Sequence, residues 1–171
     1  EETVPTREFP VIDLTPYYQI AVDNGKVVGS GGSTKTYSGD KTWKNQAGGV
    51  RYFLGNLRIK GNLTHDCILI ANGWIKVEGN VNWDVAAGKA GSLLSRDRYI
   101  KLYGNFESDA LVYCPQDFLV TGNVRLHGQV LCGEDVDLPG NIEAVGYEYQ
   151  EDFLTEDSSS DEIIVGVSAW Q

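Results

Sequence analysis

Hydrophobic and polar residues alternate in short segments that recur along the chain, and each of these segments is followed by the dipeptide Gly-Asn. The five dipeptides are Gly61-Asn62, Gly79-Asn80, Gly104-Asn105, Gly122-Asn123 and Gly140-Asn141. The position numbers of successive glycines differ by 18, 25, 18 and 18. Alternation with a period of two is typical of a strand with one buried face. A repeat of about 20 residues is typical of a solenoid, in which each turn stacks on its neighbours.

Apolar residues occupy the same places around each glycine, four and two residues before it and two residues after it. These places hold Leu57, Ile59 and Leu63, then Ile75, Val77 and Val81, then Ile100, Leu102 and Phe106, then Phe118, Val120 and Val124, and finally Val136, Leu138 and Ile142. A third strand is expected eight residues past the glycine, at Leu69, Ala87, Val112 and Val130, and its pattern decays at Glu148.

Three short strands in each repeat predict one turn of a parallel β-helix. We therefore expect an all-β fold, a single-stranded right-handed parallel β-helix of about five coils, with a short N-terminal helical cap and a C-terminal strand. The Gly-Asn pairs are expected at corners, since both residues tolerate the left-handed backbone conformation. The alternative, an antiparallel meander, would require a turn roughly every 8 to 12 residues. The longest step contains seven extra residues, which we place between Ala86 and Arg98.

The chain is expected to form one structural domain with three parts. Residues 1–48 are an N-terminal leader and cap, 49–150 the parallel β-helix, and 151–171 an acidic linker with a terminal strand at 163–170. A short helix is predicted within 11–24, with Thr15 as its N-cap and Pro16 in its first turn. Its apolar face is expected to close one end of the solenoid. Residues 25–48 are predicted to be loop or short edge strands.

The charge balance restricts the class of partner. The net charge is −10 in 171 residues, and after Arg125 there is no Lys or Arg but eleven Asp and Glu. An acidic surface repels nucleic acid and anionic membranes. No apolar run reaches the length of about 18 residues that a membrane-spanning helix needs. Because the chain opens with Glu1-Glu2, we expect a processed or trimmed form whose membrane anchor, if it had one, lies outside these residues.

Several segments together resemble a known family. The segments DLTPYYQIA, GGVRYFLGNLRIKGN, the repeated coils and the terminal VSAWQ resemble the C-terminal β-helix region of PilX-like type IV pilus assembly proteins. The family's N-terminal hydrophobic pilin helix is not in this sequence, and Ala169 separates the Ser and Trp of its terminal motif. More distantly, the length of the coil is similar to that of bactofilin-like polymer-forming β-helices. The resemblance implies a structural role outside the cytoplasm.

No catalytic, cofactor or metal site is predicted from the residues. His65 and His127 are too far apart to act together and are expected on the exposed face of the solenoid. A hexapeptide-type acyltransferase, with His127 as its catalytic residue, would require an aliphatic-Gly unit every six residues. This sequence has that spacing only locally. A polysaccharide-processing site near the insertion would use the residues Asp84, Arg96, Asp97, Arg98, Glu107 and Asp109. The acidic linker is interpreted as a solvated tether and not as a calcium loop.

Two groups of side chains are predicted to stack on adjacent coils. Trp74 and Tyr99, flanked by Lys76 and Lys101, would form an outward stripe that binds a partner subunit or sugar rings, although outward aromatics also stabilise solenoids. Cys114 and Cys132 are one repeat apart and should stack closely enough for a disulfide, or remain two reduced thiols.

The sequence thus favours a non-enzymatic structural or interaction protein of the bacterial cell envelope or exterior, a pilin-like component of a type IV pilus or related secretion system. Its partners would be other pilus or secretion subunits or cell-surface proteins. The alternatives are a carbohydrate-binding or carbohydrate-processing β-helix and a bactofilin-like polymer-forming protein.

Overall fold

The computed structural model describes residues 9–44, 49–83, 91–108 and 111–144. In this part of the chain a helix, α1 (Thr15–Asp23), precedes eighteen short strands. In chain order they are β1 (Val27–Val28), β2 (Thr34–Ser38), β3 (Lys41–Trp43), β4 (Val50–Phe53), β5 (Asn56–Lys60), β6 (Leu63–His65), β7 (Ile68–Ala71), β8 (Ile75–Val77), β9 (Val81–Trp83), β10 (Ser92–Ser95), β11 (Ile100–Leu102), β12 (Phe106–Ser108), β13 (Leu111–Cys114), β14 (Phe118–Val120), β15 (Val124–Leu126), β16 (Gln129–Cys132), β17 (Val136–Asp137) and β18 (Ile142–Ala144).

Every third strand pairs in parallel, which confirms the predicted parallel β-helix. Sheet A contains β1, β4, β7, β10, β13 and β16, sheet B contains β2, β5, β8, β11, β14 and β17, and sheet C contains β3, β6, β9, β12, β15 and β18. The register follows the predicted repeat, since Ile100 pairs with Ile75 on one side and Phe118 on the other. Strands β1, β2 and β3 pair with β4, β5 and β6, so residues 27–43 stack as edge strands against the coil that was predicted to be the first.

The inward side chains of the three sheets form one continuous apolar core. Leu57, Ile75, Leu102, Val112 and Val120 are all fully buried in it. Aromatic rings also pack in this core: Phe106 and Phe118 meet edge to face with centroids 5.8 Å apart. Each turn thus buries its apolar positions only against the turns above and below, as expected for a solenoid.

The Gly-Asn pairs lie at the corners between sheets B and C, as predicted, but the conformational reason given for their glycines is wrong. Gly79, Gly104, Gly122 and Gly140 are absent from the described glycines with positive φ. Their backbones instead touch the corner below. A Cβ on Gly104 would lie 2.6 Å from the carbonyl carbon and oxygen of Gly79, and the other three glycines meet the same obstacle. Glycine is needed there because the turns stack too closely for any side chain.

The asparagines of these corners form a hydrogen-bonded ladder. The Oδ1 atom of each asparagine accepts a hydrogen bond from the backbone N–H of the asparagine in the next turn. The donor N–H groups of Asn80, Asn105 and Asn123 each lie 2.9 Å from the Oδ1 atoms of Asn62, Asn80 and Asn105, respectively. The ladder begins one turn earlier than predicted, because Asp40 accepts from the N–H of Asn62 at 2.8 Å. Each bond satisfies a corner N–H and fixes the register of two turns.

The seven extra residues of the long step enter mainly at one corner. Leu63 and Ile68 are five residues apart, whereas their register partners Val81 and Ser92 are eleven apart. Six extra residues therefore lie between β9 and β10, and one lies between β10 and β11. The predicted location is wrong for 92–95, which form a regular strand, and Leu93 pairs with Leu69 in the place predicted for Ala87. Residues 84–90 lie outside the described part.

The N-terminal segment packs along the outer face of sheet A. Leu14 and Ala21 are buried against a column of outward residues that includes Tyr52, Ile70 and Leu94. Helix α1 forms as predicted, with Pro16 in its first turn, but its N-cap is Leu14, and the N–H of Thr15 donates to Asp13 Oδ1 at 2.9 Å. The helix lies beside β1 and β4. The prediction that it closes one end of the solenoid is therefore wrong.

The same segment reaches the far turns of sheet A before the helix begins. The ring of Phe9 stacks on Tyr113 with centroids 5.3 Å apart, and Tyr113 Oη donates to the carbonyl oxygen of Pro10 at 3.1 Å. The outer face of sheet A is therefore apolar and covered by residues 9–21, and its inner face lies against the core.

The first and last described turns differ in chemistry. Lys35 and Lys41 are in register with the inward residues Leu57 and Leu63, and both ammonium groups lie over the ring of Tyr37, 5.4 and 5.1 Å from its centroid. In the last turn Val136 and Ile142 occupy inward positions yet are 51% and 54% exposed. The predicted terminal strand at 163–170 lies outside the described residues.

Replacing a corner glycine should destabilise the fold strongly. We expect Gly104→Ala to lower the free energy of unfolding by about 3 kcal/mol, because its Cβ would overlap the backbone of Gly79. The matched control is Gly31→Ala, since nothing lies within 4 Å of a Cβ there. Urea denaturation followed by circular dichroism measures both. Equal midpoints for the two variants would contradict the close stacking of the corners.

A charge placed in the interior should unfold the protein. Val120 is fully buried, so the carboxylate of Val120→Asp would have to leave water without a partner. We expect that variant to lose its cooperative thermal transition, whereas Thr121→Asp, at the exposed neighbouring position, keeps it. If Val120→Asp melts like the parent, Val120 does not face the core.

Candidate functional site

The outer face of sheet B carries the predicted aromatic and basic residues. Trp74 and Tyr99 immediately precede β8 and β11, so the parallel register places them one above the other. Their rings are stacked, with centroids 6.0 Å apart and an interplanar angle of 3°. Both side chains are half-buried. The rings thus cover part of each other and form a stiff outward ladder.

Lys76 and Lys101 lie in the next column of the same face and are held by neighbouring groups. The Nζ atom of Lys101 is 4.6 Å from the centroid of Tyr99 and 3.7 Å from Asp117 Oδ2. The Nζ atom of Lys76 is 4.7 Å from the centroid of Tyr103 and 3.7 Å from Glu78 Oε1. These contacts fix where the two ammonium groups stand, so the structure brings all four predicted face residues together.

One carboxylate lies inside this basic region. Arg58 donates through Nε and Nη2 to Glu78 Oε1. The Arg58 hydrogen bonds hold the pKa of Glu78 below its usual value, and the charges of Arg58, Lys76 and Lys60 act in the same direction. Glu78 therefore links the basic side chains of β5 and β8 and stays ionised.

The same columns continue into an acidic region that the sequence analysis did not assign to the face. Asp117 follows Tyr99 in its column, Asp135 follows Asp117, and Leu119 and Asp137 follow Lys101. Asp135 and Asp137 are exposed. We call Arg58, Lys60, Lys76 and Lys101 the basic half of the face, and Asp117, Asp135 and Asp137 its acidic half. The acidic half could have been found in the sequence, because Asp117 and Asp135 lie five residues, and Asp137 three residues, before a corner glycine.

Cys114 and Cys132 are register partners, as their spacing of one repeat predicts, and both are free thiols. Cys132 Sγ donates to the carbonyl oxygen of Gln116 at 2.8 Å. Burial raises the pKa of the Cys114 thiol far above its ordinary value, and the adjacent Cys132 raises it further. A thiol in this state is a poor nucleophile.

The expectation that both histidines are exposed is wrong for His65. Its side chain is 1% exposed and its Nδ1 lies 2.9 Å from the carbonyl oxygen of Cys67. Because a carbonyl oxygen only accepts, Nδ1 carries the proton, and Nε2 has no hydrogen-bond partner among the described residues. Burial lowers the pKa of His65 to about 4. His127, three turns away, is half-buried.

The residues considered for polysaccharide chemistry that the structure describes do not form one cluster. Arg96 and Asp97 pair with each other at 2.7 Å at an exposed corner between sheets A and B. Glu107 points outward from sheet C, where Arg125 pairs with it at 3.3 Å. Asp84, Asp109 and the acidic linker lie outside the described residues. Among the residues described, no group of three or more His, Cys, Asp or Glu is placed to hold a metal ion.

Comparison with known proteins leaves the family undecided. No family model, curated protein or solved structure matches this chain. The resemblance to PilX-like proteins and to bactofilins therefore stays a prediction. Within the described residues, α1 is the single helix, and no helix there has the length and apolarity needed to cross a bilayer.

The buried His65 should make stability depend on pH. Its pKa is about 4 in the folded state against 6.5 when exposed. As pH falls from about 6.5 to about 4, the unfolded chain binds a proton that the folded chain does not, so the free energy of unfolding decreases. The shift corresponds to a loss of about 3 kcal/mol at the acidic end.

His65→Gln removes this proton uptake, so the difference in unfolding free energy between the parent and this variant should change by about 2.5 kcal/mol from pH 7.5 to pH 4.5. Urea titrations at each pH measure it, and His127→Gln is the control. Parallel pH profiles for the parent and His65→Gln would show that His65 is not sealed in the core.

Proposed function

We propose that this chain is a non-enzymatic structural or interaction protein that acts outside the cytoplasm, in the cell envelope or beyond it. The proposal rests mainly on the stacked ladder of Trp74 and Tyr99 with Lys76 and Lys101 on the outer face of sheet B. Aromatic and basic side chains of this kind are common where proteins bind partners. The mechanism is physical: a rigid body presents side chains in fixed positions.

Rigidity is the reason that this face suits binding. The backbone on which Trp74 and Tyr99 stand is held by parallel pairing on both sides, and each ring restricts the other. A surface whose rotamers are already fixed loses little conformational entropy when a partner binds. The titratable groups in the interior are unsuited to surface catalysis, because the pKa of His65 is lowered and that of Cys67 is raised to about 12, both by burial.

The narrower proposal is a pilin-like component of a type IV pilus or related secretion system, whose partners are other subunits of that system or cell-surface proteins. The sequence resemblance of the entry segment and the coils supports it. A carbohydrate-binding or carbohydrate-processing protein is the main alternative. The mutual stacking of Trp74 and Tyr99 disfavours it, because stacked rings leave less free aromatic surface for a sugar than rings lying side by side. A bactofilin-like polymer is the second alternative.

A double substitution on the face separates these functions. A photoreactive residue replaces Leu119 in the parent protein and in Trp74→Ala/Tyr99→Ala, and both proteins are crosslinked by light in cells that produce them. We expect adducts with identified pilus or secretion subunits in the parent and at least about a tenfold reduction in the double variant. The control is Thr64→Ala on sheet C.

The purified proteins are tested in parallel on a glycan array. Sugar binding that is lost in Trp74→Ala/Tyr99→Ala would replace the pilin-like proposal with the carbohydrate alternative. An unchanged adduct pattern in the double variant would show that Trp74 and Tyr99 do not bind the partner, and would contradict the observation on which the proposal mainly rests. Thermal melts of each variant verify that the fold is retained.

A further inference from the structure

The outer face of sheet B separates charges of opposite sign along the solenoid axis. The outward positions of β5, β8 and β11 hold the four cations of the basic half and the single anion Glu78, a net charge of +3. The corresponding positions of β14 and β17, with the residues just before them, hold the three anions of the acidic half and no cation, a net charge of −3. The face is therefore neutral in sum, although the whole chain carries −10.

We infer that this face binds the same face of a second copy of this chain, with the two solenoid axes antiparallel. A two-fold axis parallel to the strands and lying between two facing sheets reverses the order of the turns. It places the basic half of one copy over the acidic half of the other, twice. A two-fold axis along the solenoid would instead place like charges opposite each other, which costs free energy. Self-complementarity of one patch is what an isologous dimer requires.

The middle of the face supplies the apolar contacts for such a pair. Tyr103 is 41% exposed beside Lys76, and the half-buried Trp74, Tyr99 and Leu119 lie on either side of the centre. Sheet A is unsuitable because residues 9–21 cover its outer face. Sheet C presents Glu107, Arg125 and Glu143, whose charges alternate from turn to turn and already pair within the chain.

The size of the face sets the expected strength. Five strands about 4.8 Å apart, with outward residues over about 17 Å of strand, give roughly 400 Å² per copy. A stable specific dimer buries about 800 Å² per partner. The dimer should therefore be weak and its formation should depend on salt, because opposite charges supply much of the attraction.

Charge reversal with mutual rescue tests the inference. Lys60 and Asp137 are exposed on the two halves of the face. In the parent protein, sedimentation velocity at increasing concentration in about 50 mM salt should show a mass approaching twice 18.8 kDa, and about 500 mM salt should reduce it. Lys60→Glu and Asp137→Lys should each weaken dimerisation about tenfold. An equimolar mixture of the two variants should recover it, since each half-interface again joins opposite charges.

The controls make the same charge changes away from the face: Asp23→Lys at the C-terminal end of α1, and Lys26→Glu between α1 and β1. A monomer at every concentration and salt would overturn the inference, and so would dimers whose formation the mixture does not restore. The inference takes its surface from the proposed function, but the two fail separately. A monomer that still crosslinks to a pilus subunit through Leu119 retains the proposed function and excludes the second copy as the occupant.

Discussion

The close approach of successive corners is the constraint on which the rest of this structure depends. At each Gly-Asn corner the glycine allows the backbone of one turn to lie against the turn below, and the asparagine side chain then reaches the N–H of the turn above. The two residues act together, since the hydrogen bond of 2.9 Å between Asn80 and Asn105 requires the contact that Gly104 permits. With the corners aligned, every strand is in register, and each apolar column becomes continuous.

Columns of residues could be predicted from the sequence because they depend only on the spacing. The inward ladder through Ile75, Ile100 and Phe118 and the stacking of Trp74 on Tyr99 both follow from an alignment at the corner glycines. The same alignment does not show distances between turns, so it gave the correct corners with the wrong reason for glycine. It also missed Asp40, because the ladder needs only a side-chain oxygen, which Asp supplies as well as Asn.

Burial of polar side chains was the least predictable feature. His65 lies two residues after Leu63, so alternation places it inward, but its polar side chain led us to expect it on the surface. The acceptor that makes its burial tolerable is the carbonyl oxygen of Cys67, a backbone atom at a bend that no side-chain pattern indicates. Asp117 and Asp137 differ from His65 in this respect, because their positions before Gly122 and Gly140 already place them in the aromatic and lysine columns, and the register of β14 with β17 agrees with that placement.

The three sides of the solenoid have different chemistry. Sheet A has an apolar outer face hidden by the N-terminal segment, sheet C has exposed ion pairs such as Arg125 with Glu107, and sheet B has aromatic rings and segregated charges. Exposed ion pairs contribute little to stability, about 0 to 1 kcal/mol each. The outer face of sheet B is therefore the side whose composition is best explained by contact with another molecule.

The two lysines of the first described turn oppose the addition of another chain at that end of the solenoid. An unprotected terminal strand offers free N–H and C=O groups on which another chain can add, and repeated addition would produce a fibre. Any strand stacked on β2 and β3 would have to cover Lys35 and Lys41, which occupy inward positions and whose ammonium groups lie over the ring of Tyr37. Removing two charges from water opposes that addition, so this end resists aggregation edge to edge.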